Sequence, residues 1–306
     1  MGAGIRWTLA GAGVAAIALT SGLLVAAGGR AVTPAAETAP APPPSTSDSP
    51  DPTTTVETSP PPDPAAVAAA VTDAVTAASH GTSVGLVVYD RRTGHQLAAV
   101  NAGKPYYTAS VVKLLIAIDE VHDDHTGTWV LPDADTVGDL TDMLSGSNDG
   151  IASAFWSENG GTSIVTRTAR LIGLNDTVAP TDPGQWGMTK TSPSDVAAVY
   201  AFLEDTMPDN VSAPLLTALA KARNPADDGF DQYFGIPDGL PGTSWQIKQG
   251  WMILKNALVL NTTGVIDDRY VVVLCTQQPL VSNAKGRSAV TAGIKALAPY
   301  LDTQAS

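Results

Sequence analysis

The chain has 306 residues, 44% of them hydrophobic, which suffices for one large domain or two small ones. Thirty acidic residues against 17 basic ones give a formal charge of −13, which argues against a nucleic-acid binder, since a phosphate backbone needs concentrated Lys and Arg. The single cysteine, Cys275, excludes an internal disulfide, and its apolar setting Tyr-Val-Val-Val-Leu-Cys reads as a buried, inert thiol.

At the N-terminus, the uncharged run from Trp7 to Gly29 is longer than the roughly 20 apolar residues a membrane-crossing helix needs. Residues 1–30 therefore read as an export signal that stays as a membrane anchor, or is cleaved near Val25-Ala26-Ala27 to release a secreted protein. No cysteine follows the run, so a lipid-modified N-terminal cysteine is not expected. Residues 31–64 contain no Lys or Arg but 11 of the 23 prolines, and such a stretch reads as an extended stalk.

A folded domain is expected over 65–306. Residues 65–79 are Ala-rich and helical in character. Ser83–Asp90 and His95–Val100 read as a hairpin around Arg91-Arg92-Thr93-Gly94. From about 110 to 222 the pattern is mostly helical, with Ser192-Pro193-Ser194-Asp195 as a helix start. Strand character returns at Ser244–Lys248, Ala257–Asn261 and Tyr270–Thr276, and Ala289–Leu301 reads as a closing helix. This order predicts an α/β two-lobe (α+β sandwich) domain: a five-stranded antiparallel sheet, the N- and C-terminal helices packed on it, and an inserted helical lobe. A site is expected in the cleft between lobes.

Ser110 and Lys113 are three residues apart, so a helix starting at Ser110 sets both on one face. Val111, Val112, Leu114 and Leu115 would desolvate the amine and favour its neutral form, which can take the serine proton. The spacing alone is weak evidence. A second copy, Ser282 and Lys285, has no apolar helix directly after it and is read as a decoy. Two further stretches raise the signal: Ser147-Asn148-Asp149 within the helical block, and Lys248-Gln249-Gly250-Trp251 at the end of the first returning strand.

In order and context these three stretches resemble the S-x-x-K, S-D-N and K-T-G signature of the class A β-lactamase-like branch of the penicillin-recognising serine hydrolases. The likeness spans about residues 65–303 and includes Val84–Asp90 with Thr93-Gly94, and Thr191–Asp195. It implies a β-lactamase/transpeptidase-like fold. It implies Ser110 as the acylated nucleophile, Lys113 as its proton partner, Ser147 as a relay to the leaving nitrogen, and Lys248 as a positive field on that relay and on the substrate carboxylate. Asp149 and Gln249 would contact substrate, Gly250 would let substrate backbone lie along the strand, and the N–H groups of Ser110 and Trp251 would form the oxyanion hole.

Three departures bear on activity. Ser-Asn-Asp replaces Ser-Asp-Asn, and Lys-Gln-Gly lacks the hydroxyl that holds the substrate carboxylate. Between Gly173 and Thr191 there is no glutamate to activate a deacylating water, and Asp182, before Pro183, is a weak candidate for that base. His122-Asp123-Asp124-His125 lacks a distant third ligand, so no metal or other cofactor is expected. Trp186, Trp245 and Trp251 are candidates to line the cleft, with core packing at least as natural for the first two.

The expectation is an extracytoplasmic serine hydrolase, monomeric, acting on β-lactams or peptidoglycan-type peptides, touching the membrane through its N-terminal segment and not binding nucleic acid. The alternative is a catalytically weakened binding or scaffold module of the cell envelope.

Overall fold

The computed structural model describes residues 62–301. The predicted anchor, and the stalk as far as residue 61, lie outside the described residues. Among the described residues no helix is long and apolar enough to cross a membrane.

Asp63 opens the domain by capping helix α1 (Pro64–Ala78): its carboxylate accepts from Ala65 N–H, and Pro64 takes the first helical position, where no N–H is needed. The hairpin β1 (Ser83–Asp90) and β2 (His95–Val100) follows. The helical lobe runs through α2 (Lys113–Glu120), α3 (Ala134–Ser145), α4 (Asp149–Glu158), α5 (Thr162–Ile172), α6 (Pro193–Asp205) and α7 (Asp209–Ala220). Helix α6 begins at the Ser-Pro-Ser-Asp start, with Ser192 Oγ accepting from Asp195 N–H.

The chain then returns to the sheet as β3 (Trp245–Ile247), β4 (Gly250–Leu254), β5 (Ala257–Ile266) and β6 (Tyr270–Gln278), and closes with α8 (Asn283–Leu297). All pairings are antiparallel in the order β2-β1-β6-β5, with β3 and β4 both laid along β5. The sheet is thus five positions wide, as expected, and its last position is one strand interrupted at Lys248-Gln249.

Side-chain alternation in β6 shows how the layers form. Val271, Val273 and Cys275 face the core of the helical lobe, while Tyr270, Val272 and Leu274 face the core beneath α1 and α8. Burial pushes the Cys275 thiol up to about 12, which fits an inert core residue. Strand β5 runs five residues past its expected end at Asn261. The polar run Asn261-Thr262-Thr263 reads as a strand end only when its partners are unseen. Asn261 binds backbone on both sides, Thr262 Oγ1 accepts from Ile236 N–H at 3.0 Å, and Thr263 Oγ1 donates to Lys248 O at 2.6 Å.

The interruption between β3 and β4 is held from the helical lobe. Tyr200 on α6 is fully buried, and its hydroxyl accepts from Lys248 N–H at 3.1 Å while facing Thr263 O at 3.0 Å and Thr263 Oγ1 at 2.9 Å. Burial raises the Tyr200 phenol, so it serves here as a neutral donor and acceptor. Tyr200→Phe is expected to lower stability by about 1 kcal/mol, the typical net worth of one such bond. Thermal unfolding measures it, and a wild-type melting temperature would show that the hydroxyl does not hold the strand break.

Candidate functional site

Ser110 stands in a 3₁₀ turn, Ala109–Val112, that runs directly into α2 at Lys113. Val111 and Val112 are buried beneath it, in the lobe core. Ala109 sits at φ 45°, a left-handed conformation that a residue with a Cβ adopts only where its surroundings impose it. Two sets of bonds impose it here. Thr108 N–H donates to Thr189 O at 2.8 Å, and Asn261 Nδ2, from the middle of β5, donates to Tyr107 O and Thr108 O at 2.9 and 3.1 Å.

Gly250 completes the support. A Cβ at this position would lie 2.5 Å from Thr108 O and 3.1 Å from a Val111 methyl. Its missing side chain thus lets β4 close on the turn that carries Ser110, which adds a second reason for glycine to the one expected from sequence.

Five polar side chains meet at this point. Lys113 Nζ lies 3.1 Å from Ser110 Oγ, 3.1 Å from Ser147 Oγ, 2.7 Å from Ser147 O and 2.6 Å from Asp149 Oδ1. Lys248 Nζ reaches the same Ser147 hydroxyl at 3.0 Å from the sheet side. Ser147 occupies the loop between α3 and α4 with φ 57°, and Asn148 caps α4, accepting from Ile151 N–H. So Ser110, Lys113, Ser147, Asp149 and Lys248 are brought together from a turn, two helix starts, a loop and a strand end.

Both lysines are out of water, at 0% and 1% exposure. Burial lowers the Lys113 pKa, opposed by the nearby Asp149 carboxylate. Burial also takes Lys248 well below the ordinary lysine range, and the charge on Lys113 pushes it the same way. A neutral Lys113 amine is a base within hydrogen-bond reach of Ser110, which is the arrangement acyl transfer requires.

Ser110 opens onto a cleft of about 440 Å³ lined by Asp149, Ser153, Trp186, Asp228 and Trp251 among others. Trp186 lies over the Lys113 amine, 4.9 Å from ring centroid to Nζ, and donates from its indole to Ser153 Oγ at 3.2 Å. Trp251 stacks on Phe230 at 4.7 Å and donates to Asp228 Oδ2 at 2.9 Å. Trp245 lies elsewhere, edge-on to Tyr233 at 5.7 Å.

Two expected contacts are corrected. Gln249 does not face the cleft: it is fully buried, and its amide donates to Phe234 O at 2.6 Å and Gln232 O at 3.2 Å. Asp182 is exposed, accepts from Gly184 N–H at 3.0 Å within its own loop, and is not among the cleft-lining residues. The decoy pair also has its explanation, since Ser282 caps α8 by accepting from Lys285 N–H. In the His122–His125 stretch, His122 packs edge-on against Trp129 at 4.9 Å and Asp124 pairs with Arg170 at 2.6 Å. Asn261, Tyr200 and Asp228 were not singled out from the sequence. Asn261 alone carried a signal, as a polar break in an apolar strand.

No family model matches the chain. Solved structures share its fold. A β-lactamase from Chitinophaga pinensis aligns with TM-score 0.64 at 13% identity, covering 76% of this chain and 97% of that one. The β-lactamase of Streptomyces albus G aligns with TM-score 0.60 at 19% identity over 77% and 99%. PBP-A aligns with TM-score 0.59 at 16% identity over 78% and 97%. In sequence, the chain is 36% identical over 229 residues to the protein named "Putative lipoprotein LppW" in Mycobacterium tuberculosis and Mycobacterium bovis, covering 73% of this chain and 72% of theirs. With over a third of the aligned residues identical along most of both chains, and a β-lactamase-like fold, the protein belongs to the LppW family.

Proposed function

We propose that the domain is a serine acyl-transfer hydrolase of the β-lactamase and penicillin-binding kind, which forms an acyl-enzyme at Ser110 and releases it slowly. The observation that carries this reading is the contact chain Ser110–Lys113–Ser147–Lys248, closed by distances of 3.0–3.1 Å in a desolvated pocket. Substrates are β-lactams or peptidoglycan-type peptides. Lys113 takes the Ser110 proton as Oγ bonds to the carbonyl carbon. The bond to the leaving nitrogen then breaks, and that nitrogen receives a proton through Ser147, which Lys113 and Lys248 hold between them. The N–H groups of Ser110 and Trp251 are the proposed donors to the oxyanion.

Slow release follows from the loop at 182–186. Asp182 is the carboxylate nearest in sequence to where a deacylating base is needed, and it accepts from Gly184 within its own loop and is not among the cleft-lining residues. Asp149 is engaged by Lys113. Loss of one positioned general base typically costs a factor of about 10² to 10⁴. A second reading, a weakened binding or scaffold module, is favoured by the same departures at Asp149, Gln249 and Asp182.

We place the domain outside the cytoplasm, anchored through Trp7–Gly29. The relatives' designation as lipoproteins supports an envelope location. The one cysteine of this chain lies inside β6, so the apolar segment, not a cysteine-linked lipid, is the proposed anchor. Protease added to intact cells is expected to digest the domain, and full protection would contradict this placement.

Intact mass spectrometry with a penicillin tests the chemistry. Wild type is expected to gain a persistent adduct, Ser110→Ala to gain none, and Asp182→Asn to hold its adduct as long as wild type. Rapid steady-state hydrolysis would contradict slow release, and no adduct under any condition would select the binding-module reading.

A further inference from the structure

The cleft in front of Ser110 carries an unusual charge for a site that would handle carboxylate-bearing substrates. Among the described residues that line it there is no Lys or Arg, and its two ionisable side chains are Asp149 and Asp228. The residue positioned to hold a substrate carboxylate, Gln249, is turned into the core. The residue positioned to donate an amide N–H, Asp149, can only accept when ionised.

The two carboxylates are not equally compensated. Asp149 is paired with Lys113 at 2.6 Å, while 64% of its side chain stays exposed toward solvent. Asp228 accepts from Phe230 N–H at 2.9 Å and from the Trp251 indole at 2.9 Å, both neutral donors. Its neighbour Asp227, by contrast, is held by Arg223 at 2.8 Å and by Asn148 at 2.9 Å. The working state sharpens the imbalance. When Lys113 serves as a neutral base, Asp149 loses its counter-charge.

Resting on the acyl-transfer reading above, we infer that this cleft selects acyl donors whose acyl group carries a protonated amine, received by Asp228 and Asp149, over donors whose acyl group carries a carboxylate in its place. Trp251 fixes where the amine goes. Its indole clamps Asp228 at the rim, its ring is braced by Phe230, and the carboxylate it holds points at the same space that Ser110 opens onto. Because the charges sit at a partly exposed rim, selection acts mainly on the encounter and acylation rates and is weakened by salt. The reaction itself is unchanged: Oγ of Ser110 bonds to the acyl carbon, and the alcohol or amine that leaves takes away a proton.

Three 4-nitrophenyl esters of matched length test this: one of 6-aminohexanoic acid (cationic), one of hexanoic acid (neutral), and the monoester of adipic acid (anionic). Nitrophenolate release gives the acylation rate, and intact mass, with Ser110→Ala as control, shows that the label is on Ser110. At low ionic strength the cationic ester is expected to acylate about tenfold faster than the anionic one, with the neutral ester between them. Added salt should collapse the ratio. Asp228→Asn keeps an acceptor for the Trp251 indole while removing the charge, and should narrow the ratio several-fold at low salt. Equal rates for the three esters, a faster anionic ester, or a ratio unmoved by both salt and Asp228→Asn would overturn the inference and leave the acyl-transfer reading standing. No label from any of the three on folded wild-type protein would overturn both.

Discussion

The whole site depends on keeping two amines out of water within reach of one hydroxyl. Desolvation disfavours a buried ammonium by several kcal/mol unless it is paired, so the pocket either neutralises a lysine or supplies it with acceptors. Here it does both. Lys113 faces four oxygen acceptors, more than an ammonium has protons to give, and it can therefore trade bonds as its charge changes. Lys248 is left with Ser147 Oγ and a long contact of 3.4 Å to Gln249 O, the poorer bargain for a cation. Ser147, held between the two, is the group through which a proton would move.

The rest of the fold can be understood as the scaffold that holds this pocket shut. Helix α2 brings Lys113 in from the lobe, and the interrupted edge strand brings Lys248 in from the sheet. Tyr200 and Asn261 stitch the two together. One binds the break at Lys248 from α6, and the other binds the backbone of Tyr107 and Thr108, just before Ser110, from β5. Both are buried polar groups whose bonds cross between elements, and such groups lose the most when their partners move. The outer wall is different. Trp186 and Trp251 are only partly buried, each donates one indole bond, and Trp251 is braced further by its stack on Phe230.

Much of this was legible in the sequence, for local reasons. A serine and a lysine three residues apart on a helix must share a face, and capping residues such as Ser192 announce the elements they start. Strand alternation could also have settled Gln249. If Lys248 and Gly250 face the cleft, the residue between them points the other way, and it does. The other misreadings came from polar residues whose partners are far away in sequence. Asn261, Thr262 and Thr263 look like a strand end until the backbone groups they satisfy are in view. Asp228 belongs to no motif, and its place at the cleft comes from a loop packed on β4. Asp182 had the right neighbour in Pro183 but sits on a short loop that turns its carboxylate back on itself.

The account rests on Lys113 being drawn below the ordinary lysine range by burial while Asp149 pulls the other way. Lysine ε-methylene carbons labelled with ¹³C and followed by NMR across a pH titration report this directly, with Lys113→Met assigning the resonance. In wild type the Lys113 signal should lose its proton at lower pH than the exposed lysines. In Asp149→Asn, with the opposing carboxylate gone, it should do so at lower pH still. A Lys113 resonance that titrates together with the exposed lysines, and does not move when Asp149 is neutralised, would contradict the claim that this lysine is poised to take the proton of Ser110.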